Sequence, residues 1–190
     1  MADSKLKTAL ITGASRGIGR GIAIVLAREG YDVAITYARE KEKAEEVAHY
    51  IENEYRRRCF VYQASLENPD VPEKMVKDAI GDLGRLDVLV NNAGLSSRDE
   101  VLTMDKDRLD YLLSLNFKAP LLAIQATARH MVKNGIKGNI VNITSTRGIR
   151  AYPNDFIYGA TKAALARATE SIALELSTYG IRVNCVAPGA

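Results

Sequence analysis

Short apolar runs alternate with longer amphipathic stretches along the whole chain. The pattern predicts β-strands at Lys7 to Thr12 (KTALIT), Asp32 to Tyr37 (DVAITY), Arg58 to Gln63, Leu86 to Val90 (LDVLV), Asn139 to Ile143 (NIVNI) and Ile181 to Val186. Between them, helical periodicity spans about Gly17 to Arg28, Glu40 to Tyr55, Val71 to Ile80, Asp105 to Lys133 and Ile157 to Tyr179. The fourth of these reads as one long helix with Pro120 inside it. Near-continuous apolar strands separated by helices imply a parallel sheet covered on both faces. The crossovers are expected to be right-handed. The chain is therefore expected to be α/β, a doubly wound parallel sheet with helices on both faces. No repeat or linker composition divides it, so residues 1–190 are expected to form a single domain. In open sheets of this kind ligands sit at the carboxyl ends of the strands, where strand order reverses.

Composition narrows the partners. The chain has 190 residues, enough for one well-buried α/β domain and short for two. Apolar residues make up 47% and charged residues 26%, which argues against wholesale disorder. A formal net charge of +3 is too small to make nucleic acid or an anionic membrane the main partner. The run Arg56-Arg57-Arg58 ends a predicted helix, where cations suit the helix dipole and solvent. Cys59 and Cys185 both sit in strand-like apolar runs and read as small core residues rather than a disulfide or metal pair. With only His49 and His130 besides, no metal site is expected. No apolar run approaches the roughly 18 residues of a membrane span, and the first is too short for a signal-peptide core. A cytoplasmic protein is expected.

The first strand–turn–helix reads Thr12-Gly13-Ala14-Ser15-Arg16-Gly17-Ile18-Gly19. Glycines there permit a tight turn and close approach of a ligand, and the free N–H groups of the following helix face a phosphate. A nucleoside-triphosphate loop is excluded, because no Lys-Ser or Lys-Thr follows the last glycine. A dinucleotide is the better fit. Sites for NAD place an acid at the tip of the second strand, whereas arginine suits the 2′-phosphate of NADP. Here that strand runs into Ala38-Arg39, and Arg16 lies within the turn. Two guanidiniums favour NADP as cofactor, although Glu40 follows Arg39 directly.

Tyr158 and Lys162 are four residues apart on a predicted helix, which puts them on one face. An ammonium near a phenol favours its ionised form, making the pair a candidate for proton transfer. Taken alone, such a pair is more often a surface contact. Ser145, however, follows the Asn139–Ile143 strand and so lies at a carboxyl strand end, as do Asn91 to Gly94. A hydroxyl there is suited to donate to a substrate carbonyl as charge develops. A serine-hydrolase reading fails for lack of a histidine base near a strand end.

Together these segments resemble the short-chain dehydrogenase/reductase family, in the branch that includes 3-oxoacyl-acyl-carrier-protein reductases and glucose 1-dehydrogenases. The resemblance rests on Thr12 to Gly19, Asn91 to Gly94, Asn116 in SLNF, Ser145 in ITS, Tyr158 with Lys162, and Pro188-Gly189. It covers essentially the whole chain and implies a Rossmann fold. It implies that Tyr158 is general acid in reduction and base in oxidation, that Lys162 promotes its ionisation and holds the nicotinamide ribose, and that Ser145 orients the carbonyl. Asn116 would position a water linking Lys162 to solvent. Gly13, Ser15, Gly17, Ile18 and Gly19 would line the pyrophosphate. Asn92, Ala93 and Gly94 would line the adenosine-ribose region, and Pro188-Gly189 complete the cofactor-binding set. A homodimer or homotetramer through the two long helices is also implied.

Two departures from the family pattern stand out. Many relatives carry an acid after the third strand to contact the adenine; here Ser65-Leu66 stand there, leaving the Leu66 backbone. Relatives also run to about 250 residues, within the usual one-domain range, so the chain is expected to lack the family's C-terminal strand and substrate loop. That would leave Ile181–Val186 an exposed edge. Substrate is the least determined feature. Ser96, Ser97 and the residues from Arg150 to Phe156 are expected to border the pocket, with Arg147 and Arg150 solvated rather than reading an anionic group. An acyl-carrier-protein thioester, a sugar or a hydroxysteroid carbonyl all fit. A nucleotide-sensing module without turnover is the reading from another class, and it would need no Asn116, Ser145, Tyr158 and Lys162 set.

Overall fold

The computed structural model describes residues 7–189. Six strands, β1 (Lys7–Ile11), β2 (Tyr31–Tyr37), β3 (Cys59–Gln63), β4 (Val88–Asn91), β5 (Asn139–Ile143) and β6 (Arg182–Val186), form one parallel sheet in the order β3-β2-β1-β4-β5-β6. The helices are α1 (Gly17–Arg28), α2 (Lys41–Tyr55), α3 (Val71–Leu83), α4 (Lys106–Leu113), α5 (Ala119–Lys133) and α6 (Phe156–Ser177). The expected doubly wound sheet is thus observed. The expected domain ends at residues 1 and 190 lie outside the described residues.

Strand residues alternate between two cores. Ala9, Ile11, Val33, Ile35 and Val90 face α1 and α2, meeting Ala23, Ala27, Val47 and Ile51. Leu10, Leu89 and Ile140 face the other way, onto Val76 and Ala79 of α3, Ala123 and Met131 of α5 and Leu176 of α6. Each such buried aliphatic side chain contributes about 1.5–3 kcal/mol, which is why the sheet reads as apolar runs rather than alternation. β1 pairs with β2 on one side and β4 on the other, so strand order reverses between β1 and β4. Their carboxyl ends open a crevice there.

Three sequence expectations change. The single helix over Asp105–Lys133 is α4 and α5 joined without a break by a π-helical segment, Ser114–Lys118, just ahead of Pro120. Such bulges adjust the helix phase locally and recur at functional sites. The arginine run is not simply solvated: Arg56 caps α2 in the left-handed conformation, and Arg57 and Arg58 reach Asp32, itself 1% exposed, at 3.3 and 2.6 Å. That pairing satisfies a carboxylate at the amino end of β2, which burial alone would penalise. Cys59 is buried as expected, and burial pushes its thiol up to about 12. Cys185 is instead exposed, because β6 is an edge strand whose outer residues are largely uncovered.

Candidate active site

The crevice is built from the glycine turn upward. Gly13 has φ +63, and a Cβ on it would lie 2.9 Å from the Ala93 Cα. A Cβ on Gly19 would meet Asn92 Nδ2 and Gly13 O, so helix α1 closes onto the turn only with glycine there. Two threonines at strand ends fasten the turn: Gly13 N–H donates to Thr36 Oγ1 at 3.0 Å, and the N–H groups of Asn92 and Ala93 both donate to Thr12 Oγ1 at 3.0 Å. The Asn92 side chain spends its Nδ2 on the carbonyls of Thr12 and Gly13, both at 2.9 Å. It therefore braces the turn. Arg16 precedes α1 without a side-chain cap, leaving first-turn N–H groups of α1 for a ligand.

Asn91 ties the other half of the crevice together. Its Nδ2 donates to Asn142 Oδ1 at 2.9 Å; Asn142 Nδ2 donates to Thr169 Oγ1 at 2.9 Å, and Thr169 donates to Leu165 O at 2.7 Å. All three side chains are buried. This chain of bonds links β4, β5 and α6 beneath the crevice floor. Sequence reading missed Asn142, Thr169 and Thr36, and gave Thr12 no role beyond its place in the glycine turn. Their only signal was polarity inside otherwise apolar runs.

Ser145, Tyr158 and Lys162 line one cleft of about 680 Å³, together with Ile18, Asn92, Gly94, Pro188 and Gly189. Gly13, Ser15, Arg16, Gly17, Gly19, Arg39, Leu66 and Ala93 lie outside that lining, in the turn and at the neighbouring strand ends. Ser145 precedes a 3-10 turn, Thr146–Gly148, and its Oγ accepts the Arg147 N–H at 3.2 Å. The hydroxyl proton is thereby left to donate elsewhere. Thr146 N–H donates to Pro188 O at 3.2 Å, which holds the segment after β6 against the cleft.

Lys162 is 4% exposed, and its ammonium donates to Ile143 O at 2.9 Å. It lies 5.7 Å from the centre of the Tyr158 ring. Desolvation lowers the Lys162 pKa to about 8. Asn116 is fully buried in the π-helical segment, where Oδ1 accepts from Leu95 N and Nδ2 donates to Leu95 O, both at 2.9 Å. A Cβ on Gly94 would lie 3.0 Å from Asn116 Oδ1 and 3.3 Å from Lys162 Nζ. The Asn116 side chain thus clamps the loop after β4 directly beside the lysine.

The cations expected near a 2′-phosphate are unequal. Arg16 pairs with Glu40 at 3.3 Å, and Glu40 pairs in turn with Lys43 at 2.5 Å. The Lys43 hydrogen bond foremost, aided by the Arg16 charge, holds the Glu40 carboxyl below its usual range. Arg39 is exposed and enters no ion pair among the described residues. The Leu66 side chain is buried in the core with residues of α3. Arg147, expected to be solvated, pairs with the buried Asp155 at 3.0 Å.

Comparison with known proteins agrees with this geometry. The short chain dehydrogenase family profile matches residues 7–190. The chain is 42% identical over 183 residues to the 3-oxoacyl-[acyl-carrier-protein] reductase FabG of Staphylococcus aureus, covering 96% of this chain and 74% of that one. Among solved structures, acetoin dehydrogenase from Enterobacter cloacae superposes with a TM-score of 0.95 at 35% identity, over 99% of this chain and 74% of that one. A short chain dehydrogenase from Burkholderia cenocepacia in complex with NADP superposes with a TM-score of 0.91 at 39% identity, over 97% and 74%. The chain belongs to the short-chain dehydrogenase family of NAD(P)-dependent oxidoreductases.

Proposed function

We propose that this protein interconverts a carbonyl and a secondary alcohol with NADP(H), on a substrate most like that of a 3-oxoacyl-acyl-carrier-protein reductase. The observation that carries the reading is one cleft lined by Ser145, Tyr158 and a buried Lys162, opening at the strand-order reversal beside the glycine turn. The turn fits a dinucleotide: side chains are excluded at Gly13 and Gly19, and α1 begins without a side-chain cap. Gly13, Ser15, Gly17, Ile18 and Gly19 would hold the pyrophosphate, and Arg16 and Arg39 the 2′-phosphate. Asn92 to Gly94 would line the adenosine-ribose region, and Pro188-Gly189 would complete the cofactor-binding set. The bound cofactor supplies or accepts the hydride at the carbonyl carbon.

The chain's own groups handle position and proton. Ser145, whose oxygen already accepts a backbone N–H, donates its proton toward the substrate oxygen and polarises the carbonyl. Tyr158 delivers its phenolic proton to that oxygen in reduction and takes it back in oxidation. Lys162 holds its ammonium 5.7 Å from the centre of the Tyr158 ring and, with its pKa lowered to about 8 by burial, exchanges protons at mildly alkaline pH. Asn116 holds the loop that shapes this end of the cleft. The described residues would act as one binding and catalytic unit in the cytoplasm. Exposed Phe156 and Leu174 on α6 support self-association through that helix, which light scattering of the purified protein would test.

Replacing Tyr158 with Phe removes the proton donor and little else. Turnover with NADPH and a 3-oxoacyl thioester should drop by about 10²-fold or more, with NADPH affinity retained. Undiminished turnover would overturn the assignment of Tyr158, and retained cellular function in that variant would favour a nucleotide-sensing module.

A further inference from the structure

Ser145 and Tyr158 come from different parts of the chain, the turn after β5 and the first turn of α6. Their separation must be held by whatever joins those two segments. Arg147, two residues beyond Ser145, donates its N–H to Ser145 Oγ at 3.2 Å. Its guanidinium Nη1 reaches Oδ1 of Asp155, the residue immediately before α6, at 3.0 Å. Asp155 is 3% exposed, and its Oδ1 has no aligned hydrogen bond among the described residues, so this oxygen rests on the ion pair with Arg147. Asp155 O in turn accepts the Gly159 N–H at 2.8 Å, which closes the helical turn that carries Tyr158.

The contact is tight in the backbone as well. A Cβ on Gly159 would stand 2.9 Å from Arg147 O, so the two segments touch main chain to main chain. The Arg147 guanidinium also lies 5.1 Å from the centre of the Tyr152 ring, a cation–π contact with the loop ahead of α6. The loop ahead of α6 is pinned once more where Asp99 N–H donates to Asn154 O at 2.9 Å, Asp99 itself being paired with Arg108 at 2.7 Å. Arg147 lines the cleft and also a second pocket of about 280 Å³, which Asp155 lines as well. Asp155 does not line the cleft, so the ion pair joins a cleft residue to the start of α6.

The geometry points to the Arg147–Asp155 pair as a positioning device that sets the Ser145 hydroxyl against the Tyr158 hydroxyl across the cleft. The inference rests on the proposed carbonyl chemistry for its kinetic consequence but not for its structural one. A buried carboxylate with a single cationic partner has one low-energy arrangement, and the backbone N–H of the same arginine orients the serine. Misplacing a polarising hydroxyl by about 1 Å costs on the order of 10²-fold in rate.

The test uses the full protein with Arg147→Met, Asp155→Asn, the double variant and Arg147→Lys, each assayed for kcat, KM and NADPH affinity and each crystallised. Both single variants are expected to lose about 10- to 100-fold in kcat, with NADPH affinity within about twofold. The double variant should fall no further than the worse single one, since both remove the same contact. Arg147→Lys, which keeps the charge, should recover most of kcat. In the crystal, Ser145 Oγ should shift relative to the Tyr158 hydroxyl in Arg147→Met and not in Arg147→Lys. Unchanged kcat in both single variants, additive losses, or a joint collapse of kcat and NADPH affinity would overturn the proposal. If the parent protein reduces no carbonyl, the reaction assignment fails separately, and an unmoved Ser145 in Arg147→Met would still overturn the positioning role.

Discussion

Replacing Lys162 with Met should stabilise the cofactor-free protein while destroying its activity. The native fold holds this ammonium 4% exposed with one hydrogen bond, to Ile143 O. Burial takes its pKa from the usual 10.5 to about 8, a drop of about 2.5 pH units. At about 1.36 kcal/mol per unit, keeping the lysine charged at pH 7 costs the folded state about 3 kcal/mol. Methionine of similar length removes that cost but leaves Ile143 O without its donor, a loss of about 1–2 kcal/mol. The net expectation is a gain of about 1–2 kcal/mol at pH 7, or about 2–8 °C in Tm for a domain of this size. The sign with pH follows from proton counting. Between about pH 8 and 10.5 the unfolded lysine stays protonated while the folded one does not, so wild-type stability from this group rises with pH across that window. The advantage of Lys162→Met should therefore shrink as urea unfolding is repeated from pH 7 to pH 10. A variant destabilised by more than about 1 kcal/mol at pH 7, or a gap independent of pH, would refute the reasoning.

Three further outcomes follow from contacts in the crevice. Glu40→Gln removes the carboxylate that pairs with Arg16 and Lys43, and should raise the NADPH-to-NADH affinity ratio by about two- to fivefold in fluorescence titrations; an unmoved ratio would show that Arg16 does not read the phosphate. Gly19→Ala puts a Cβ onto Asn92 Nδ2 and Gly13 O, and should weaken dinucleotide binding on the order of tenfold, measured in the same titration. Asn142→Ala breaks the buried link between Asn91 and Thr169 and should cost about 2–3 kcal/mol in urea unfolding, with a loss under about 0.5 kcal/mol counting against that network.

The periodicity of apolar positions was enough to locate the strands and helices to within a few residues, because the central strands are buried on both faces and each covering helix on one. It could not register the π-helical segment at Ser114–Lys118, which spans only five residues and shifts the helix phase locally between two stretches of ordinary helical periodicity. Cys185 was placed in the core for a related reason: alternation says that a strand is apolar, not whether a neighbour covers it.

The candidate site divides along the same line. The i,i+4 spacing of Tyr158 and Lys162 and the glycine turn are local, so helix geometry and steric freedom alone determined them from the sequence. Pairings between distant residues were decided only by tertiary structure. Asp155 and Arg147, Glu40 and Arg16, and Asn91, Asn142 and Thr169 are ordinary polar residues until the sheet brings their elements together. Burial is likewise a property of the assembled fold. It turns Lys162 from an ordinary cation into one with a pKa of about 8, because desolvation depends on every element packed around it and on no single stretch of chain.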